Sequence, residues 1–136
     1  MRGTMIQHTP MPSLDEFAAL AEQAWQAMPA GFREMCGSVV IRVDDFAEQE
    51  TLDYFGMDDP YELTGLYHGV DLSQKSTLDS ATLPDQVWLY RKPILAEWQD
   101  RGDVKLTDLI THVLVHEIGH HFGLSDDDMH RIEDEA

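Results

Sequence analysis

The sequence predicts a small α+β domain, a mixed sheet of three or four strands packed on an N-terminal helix and on a second, longer helix near the C-terminus. Three observations predict it. Two stretches of helical apolar period flank the middle of the chain, and three short β-branched or aromatic runs lie between them. The length of 136 residues allows one substantial core and not two. Residues 1–12 carry two prolines and no periodicity, so they read as a flexible arm before a single domain over 13–136.

Ser13-Leu14-Asp15-Glu16 has the pattern of a capping box, with Ser13 as N-cap and Glu16 reaching back to it. Leu14, Phe17, Ala18, Ala21, Ala24, Trp25 and Met28 follow at spacings of three and four, giving one apolar stripe, and Pro29-Ala30-Gly31 ends the helix. Residues 38–43 (SVVIRV), bounded by Gly37 and Asp44, form the first strand. A short helix is expected near 47–55, and Asp59-Pro60 marks a turn. Residues 63–69 (LTGLYHG) read as a short strand, 71–85 as a polar loop, and 86–91 (QVWLYR) as a third strand. Pro93 suits the first turn of a helix reaching about Trp98. The last long helix should start near Asp103, bury Leu106, Leu109, Ile110, Val113, Leu114 and Ile118, and stop at Gly123. Ser125 and Asp128 then cap a short terminal helix.

Composition narrows the function classes. A net charge of −17 opposes nucleic-acid binding, which needs a basic face. No apolar run approaches a membrane span, and the N-terminus has no apolar core of a signal peptide. With Cys36 the single cysteine, no intrachain disulfide can form, and a reducing, cytoplasmic setting is expected.

The chemistry concentrates in HVLVHEIGHHFGLSDDDMH, residues 112–130, which hold five histidines. His116-Glu117-Ile118-Gly119-His120 is an H-E-x-x-H motif on a helix. Four residues make slightly more than one turn, so both imidazoles leave one face and can share one Zn²⁺. Glu117 is the expected general base for a metal-activated water. A catalytic zinc takes a third protein ligand. Geometry rejects His112 as a ligand, because eight residues at 1.5 Å rise separate it from His120 by ~12 Å, and it is expected to be a flanking or partly buried histidine. His121 points about 100° away from His120. The pattern continues as H-E-x-x-H-x-x-G-x-x-D, in which Gly123 turns the chain back and Asp126 supplies a carboxylate as the expected third ligand. An acidic residue in the first turn of a helix is also favoured by the helix dipole, which accounts for Asp127 and Asp128. His130 competes with Asp126 for the third position.

On these residues the chain resembles the zincin metallopeptidases, with the metzincin layout of the snapalysin type, in which an aspartate replaces the third histidine. It is still more similar to the small bacterial zincin-like metallopeptidase family, through DPYELTGLYHGV, LPDQVWLYRKPI and HEIGHHFGLSDDDMHRIE. The resemblance implies a minimal zincin fold with one zinc ion at His116, His120 and Asp126, and Glu117 as the catalytic carboxylate. It also implies that the strand at 63–69 runs along the cleft as an antiparallel edge. A peptide or protein substrate would pair with that edge, with Tyr67 or His68 as candidate substrate-binding residues. The chain ends ten residues after Asp126, leaving little room for a separate methionine turn, and Met129 is expected to pack in the terminal helix.

Zinc-dependent peptide hydrolysis is therefore the expected function. The alternative is a catalytically weak or inactive zinc-binding module for peptide recognition or regulation. A metal-dependent ribonuclease fits less well, given Glu117 in the base position and the acidic charge. Substrate specificity and oligomeric state are not written in the sequence.

Overall fold

The computed structural model describes residues 11–69 and 85–136. The expected loop at 71–85 lies almost wholly outside them, as do residues 1–10 of the expected arm. Among the described residues, six α-helices surround a sheet of three strands.

Helix α1 (Leu14–Gln26) starts at the capping box: the Glu16 amide donates to Ser13 Oγ over 3.1 Å, and the Ser13 amide donates to Glu16 Oε1 over 2.8 Å. Its stripe buries Phe17, Ala21, Ala24 and Trp25. Pro29 does more than end this helix. It is the N-cap of α2 (Ala30–Cys36), which the sequence reading left out. Phe32 and Cys36, one turn apart, are buried, and the Phe32 ring meets Trp25 edge-on at 6.4 Å. The tertiary contact stabilises a helix of seven residues, too short to stand on propensity.

Strand β1 (Val39–Asp44) turns Val39, Ile41 and Val43 toward the core. Helix α3 (Gln49–Tyr54) and a 3₁₀ turn (Pro60–Glu62) follow; in the turn, the Asp59 carboxylate accepts the Tyr61 amide over 3.0 Å. Strand β2 is Gly65–His68 and β3 is Asp85–Tyr90. The strand order is β1-β3-β2, with β1 parallel and β2 antiparallel to β3. Strand β2 therefore pairs with β3 on one side and is an edge among the described residues.

Helix α4 (Arg91–Arg101) takes Pro93 into its first turn and ends at left-handed Gly102. Helix α5 is Leu106–Phe122, starting three residues later than the sequence suggested. Its approach is shaped by tertiary structure, because the Val104 carbonyl accepts the Trp98 indole N–H over 2.9 Å. Helix α6 spans Asp126–Glu135, with Ser125 Oγ accepting the Asp128 amide over 3.1 Å.

The core lies between the sheet and the pair α1 and α5. Phe17, Val87, Leu89, Ile110, Leu114 and Ile118 are fully buried in it. Each such side chain contributes ~1.5–3 kcal/mol. A smaller cluster of Ala47, Leu52, Leu63 and Tyr90 closes the other face of the sheet. This is the mixed α+β architecture expected of a minimal zincin-like fold, with three strands described and α1 and α5 beneath them.

Candidate metal centre

The centre is built on the last turns of α5 and the helix that folds back from it. At Gly123, with φ 72°, the chain enters the left-handed region. The Leu124 amide donates to the Gly119 carbonyl over 2.9 Å and the Gly123 amide to His120 over 3.2 Å, closing the C-terminal cap. Helix α6 then returns along α5, and Met129, fully buried, rests on Gly119. A Cβ at Gly119 would come within 2.8 Å of Met129 Cγ. Glycine at this motif position thus lets the two helices close, and Met129 packs as the sequence suggested.

His116 is half-buried and His120 exposed, with ring centroids 5.8 Å apart and nearly perpendicular. Burial is the largest influence on His116 and lowers its pKa; the neighbouring His112 adds to this, while Glu133 opposes it. A neutral imidazole has the lone pair a metal needs. Between them in sequence, Glu117 is half-buried, and desolvation raises its pKa while His120 pulls it down. Its Cγ lies 3.1 Å from where a Cβ on Gly65 would stand. The edge strand approaches α5 this closely because residue 65 has no side chain. The same closeness shows at Tyr90, whose pKa is pushed up to about 12 by burial, then by Asp44, Glu48 and Glu117.

Alternation along β2 sends its side chains to opposite faces. Gly65 and Tyr67 face α5: Tyr67 stacks on His121 at 3.8 Å and 15°, and its hydroxyl donates to Asp85 Oδ2 over 2.7 Å. Burial and that carboxylate raise the Tyr67 pKa well above the phenol range. His68 faces the other way, into a cavity of about 250 Å³ that it lines with Leu66, Gln86, Trp88 and Tyr90. Tyr67 and His68 thus leave β2 in opposite directions, yet both line a groove with Glu50, Thr51, Tyr54, Phe55 and Leu66. His121 is held against Tyr67, away from the motif pair, as helix direction anticipated.

Asp126 is the first residue of α6 and is exposed. The His130 ring centroid is 6.4 Å from that of His116. Among the described residues, the group with ligand atoms within 4.8 Å of one another is His112, His116 and Glu133; His120 and Asp126 lie outside it. Glu133 Oε1 is 2.7 Å from His112 Nδ1, and Oε2 is 3.3 Å from His116 Nε2. His112, rejected as a ligand on its distance from His120, is instead grouped with His116 one turn away, because Glu133 of α6 reaches both.

Glu133 is absent from the sequence reading. Its signal was its place one helical turn after Met129, on the face of α6 that a hairpin pivoting at Gly123 presents to α5. Imidazoles and carboxylates are the donors that zinc takes, so the residues gathered here fit such an ion. The model of a family described as Zincin-like metallopeptidase matches residues 36–136. No curated protein matches the chain.

Proposed function

The chain belongs to the zincin-like metallopeptidase family, and from that premise we propose that it hydrolyses peptide bonds with Glu117 as general base. His116, His120 and Asp126 would hold the zinc ion. When bound, such an ion supplies Lewis acidity at the scissile carbonyl and makes water acidic enough to yield its proton at neutral pH.

One observation carries this reading. Glu117 is half-buried on the motif helix, close enough to His120 to feel its charge and beside the glycine of β2. Burial raises its affinity for a proton, which moves a carboxylate toward the basicity a general base needs near neutral pH. Glu117 accepts the proton of the attacking water and gives it to the departing amine. The oxygen–carbon bond forms and the carbon–nitrogen bond breaks, so the products are a carboxylate and a free amine.

An extended peptide pairing with the side of β2 that no described strand covers would pass its carbonyl close to Gly65, hence to Glu117. Main-chain hydrogen bonds of this kind bind without demanding a sequence. Side chains of the peptide on one side of β2 would meet a groove that Glu50, Thr51, Tyr54 and Phe55 of the α3 region line together with Leu66, Tyr67 and His68. Tyr54 and Phe55 are exposed there, a surface suited to an apolar or aromatic side chain.

The test is cleavage of a peptide library by the zinc-loaded chain and by Glu117→Gln. The variant should lose about 10²–10⁴-fold in kcat/KM while binding the same amount of zinc. Undiminished cleavage by the variant excludes Glu117 as the base. A zinc-saturated parent chain that binds peptides without cutting any would instead support the recognition module.

A further inference from the structure

The turn of α5 before the motif carries a second pair of histidines at the same spacing. His112 and His116 have ring centroids 4.1 Å apart, closer than the 5.8 Å between His116 and His120. Glu133 reaches both from α6, with one carboxylate oxygen 2.7 Å from His112 Nδ1 and the other 3.3 Å from His116 Nε2. One ligand atom from each of the three falls within 4.8 Å of the others. The Glu133 side chain is only 20% exposed, and Met129, one turn earlier and fully buried, fixes the helix that bears it.

We propose that His112, His116 and Glu133 form a second position for a divalent transition-metal ion, which shares His116 with the motif position so that one ion occupies either. Two imidazoles and a carboxylate are an established donor set for zinc, and imidazole also suits cobalt, nickel and copper. A neutral imidazole offers one lone pair while its other nitrogen keeps its proton. His116 therefore serves one ion at a time. The mutual exclusion rests on the reading of His116 as a motif ligand; the position itself rests on the three side chains.

The geometry makes the two positions separable by mutation. His120 is outside the trio and exposed, so His120→Ala disables the motif position without opening the core. The full chain, stripped by a chelator, is titrated with Zn²⁺ by calorimetry and with Co²⁺ by visible absorption. The parent chain should bind one ion. His120→Ala should still bind one, and adding Glu133→Gln or His112→Ala to it should weaken binding by at least about 100-fold, the upper end for groups supporting a metal site. Glu133→Gln in the otherwise unchanged chain should stay within about tenfold of the parent, because the motif position remains.

Thermal melts of the metal-free variants check that each is folded. A misfolded His120→Ala is replaced by Asp126→Ala together with His120→Gln, read the same way. Failure of the His120 variant to bind any ion, or binding indifferent to Glu133, overturns the second position. Two ions per parent chain overturn the exclusion. None of these readouts involves peptide cleavage, so they stand apart from failure of the peptidase reading.

Discussion

Helices α5 and α6 face each other across the candidate centre and are stabilised in very different ways. Helix α5 buries seven residues, including Ile110, Leu114 and Ile118, and packs against both the sheet and α1. Helix α6 has Asp126, Asp127 and Asp128 in its first turn, and its one buried residue is Met129. The motif histidines and Glu117 thus ride on an element anchored by the main core. Asp126, His130 and Glu133 ride on one attached chiefly through Met129 and the hairpin cap. On this contrast, the part of the candidate centre on α5 is expected to be preformed and the part on α6 to respond more to a ligand.

The strongest way to break this contrast is to remove the attachment. Met129→Ala should cost about 2–5 kcal/mol in chemical denaturation, the range for emptying a buried methionine site. Gly119→Ala should cost about 1–3 kcal/mol by forcing a methyl into Met129. Hydrogen exchange in both variants should accelerate in α6 more than in α5. Equal acceleration throughout would show that the hairpin is one cooperative unit.

Zinc should act in the opposite direction. At about 100 times its dissociation constant, a ligand that binds the folded chain alone adds about 2.7 kcal/mol. If α6 is the labile half, the added protection on zinc binding concentrates there, and chelation removes it. Protection spread evenly over α1 and β3 would contradict the contrast.

Alkali should strike the body instead of α6. Cys36 and Tyr90 are buried, with pKa values raised from 9.0 to about 11 and from 10.0 to about 12, chiefly by burial. Their neutral forms are favoured in the folded chain, so this stability is full below pH 9 and is lost as pH rises through 12. Replacing Cys36 with Ala should flatten the first part of that decline, by on the order of 1–2 kcal/mol between pH 8 and 11. An unchanged melting profile over that range would show that Cys36 does not resist ionisation.

The smallest test compares two caps. Ser13 and Ser125 each accept an amide of the following helix, and Ser→Ala at an N-cap costs about 1 kcal/mol. In global denaturation Ser13→Ala should show that loss. Ser125→Ala should show less of it globally and more as local exchange in α6. Reversal of that order would make α6 the firmer element.

Much of the fold was legible because its signals are local. The capping box at Ser13, the stripe from Phe17 to Trp25, the β-branched run of β1 and Gly123 each act within a few residues of themselves. Helix α2 escaped notice because its stability comes from Phe32 against Trp25, a contact between elements. The start of α5 shifted for a similar reason, since the Trp98 indole occupies the Val104 carbonyl. In the centre, the i, i+4 spacing of His116 and His120 and the outward turn of His121 follow from helix geometry alone. The distance to His120 argued against His112 as a ligand, but it did not bear on the neighbour one turn away, and the structure groups His112 with His116 and Glu133.

The sequence by itself determined the α+β class, the motif helix, and the chemical kinds of group it carries, because periodicity and spacing act along one helix. Only the tertiary structure decided that Gly65 brings an edge strand against Glu117 and that Gly119 admits Met129. It also brought Glu133 between His112 and His116. Those meetings depend on close packing of segments distant in sequence, where a missing Cβ or a helix face sets the distance.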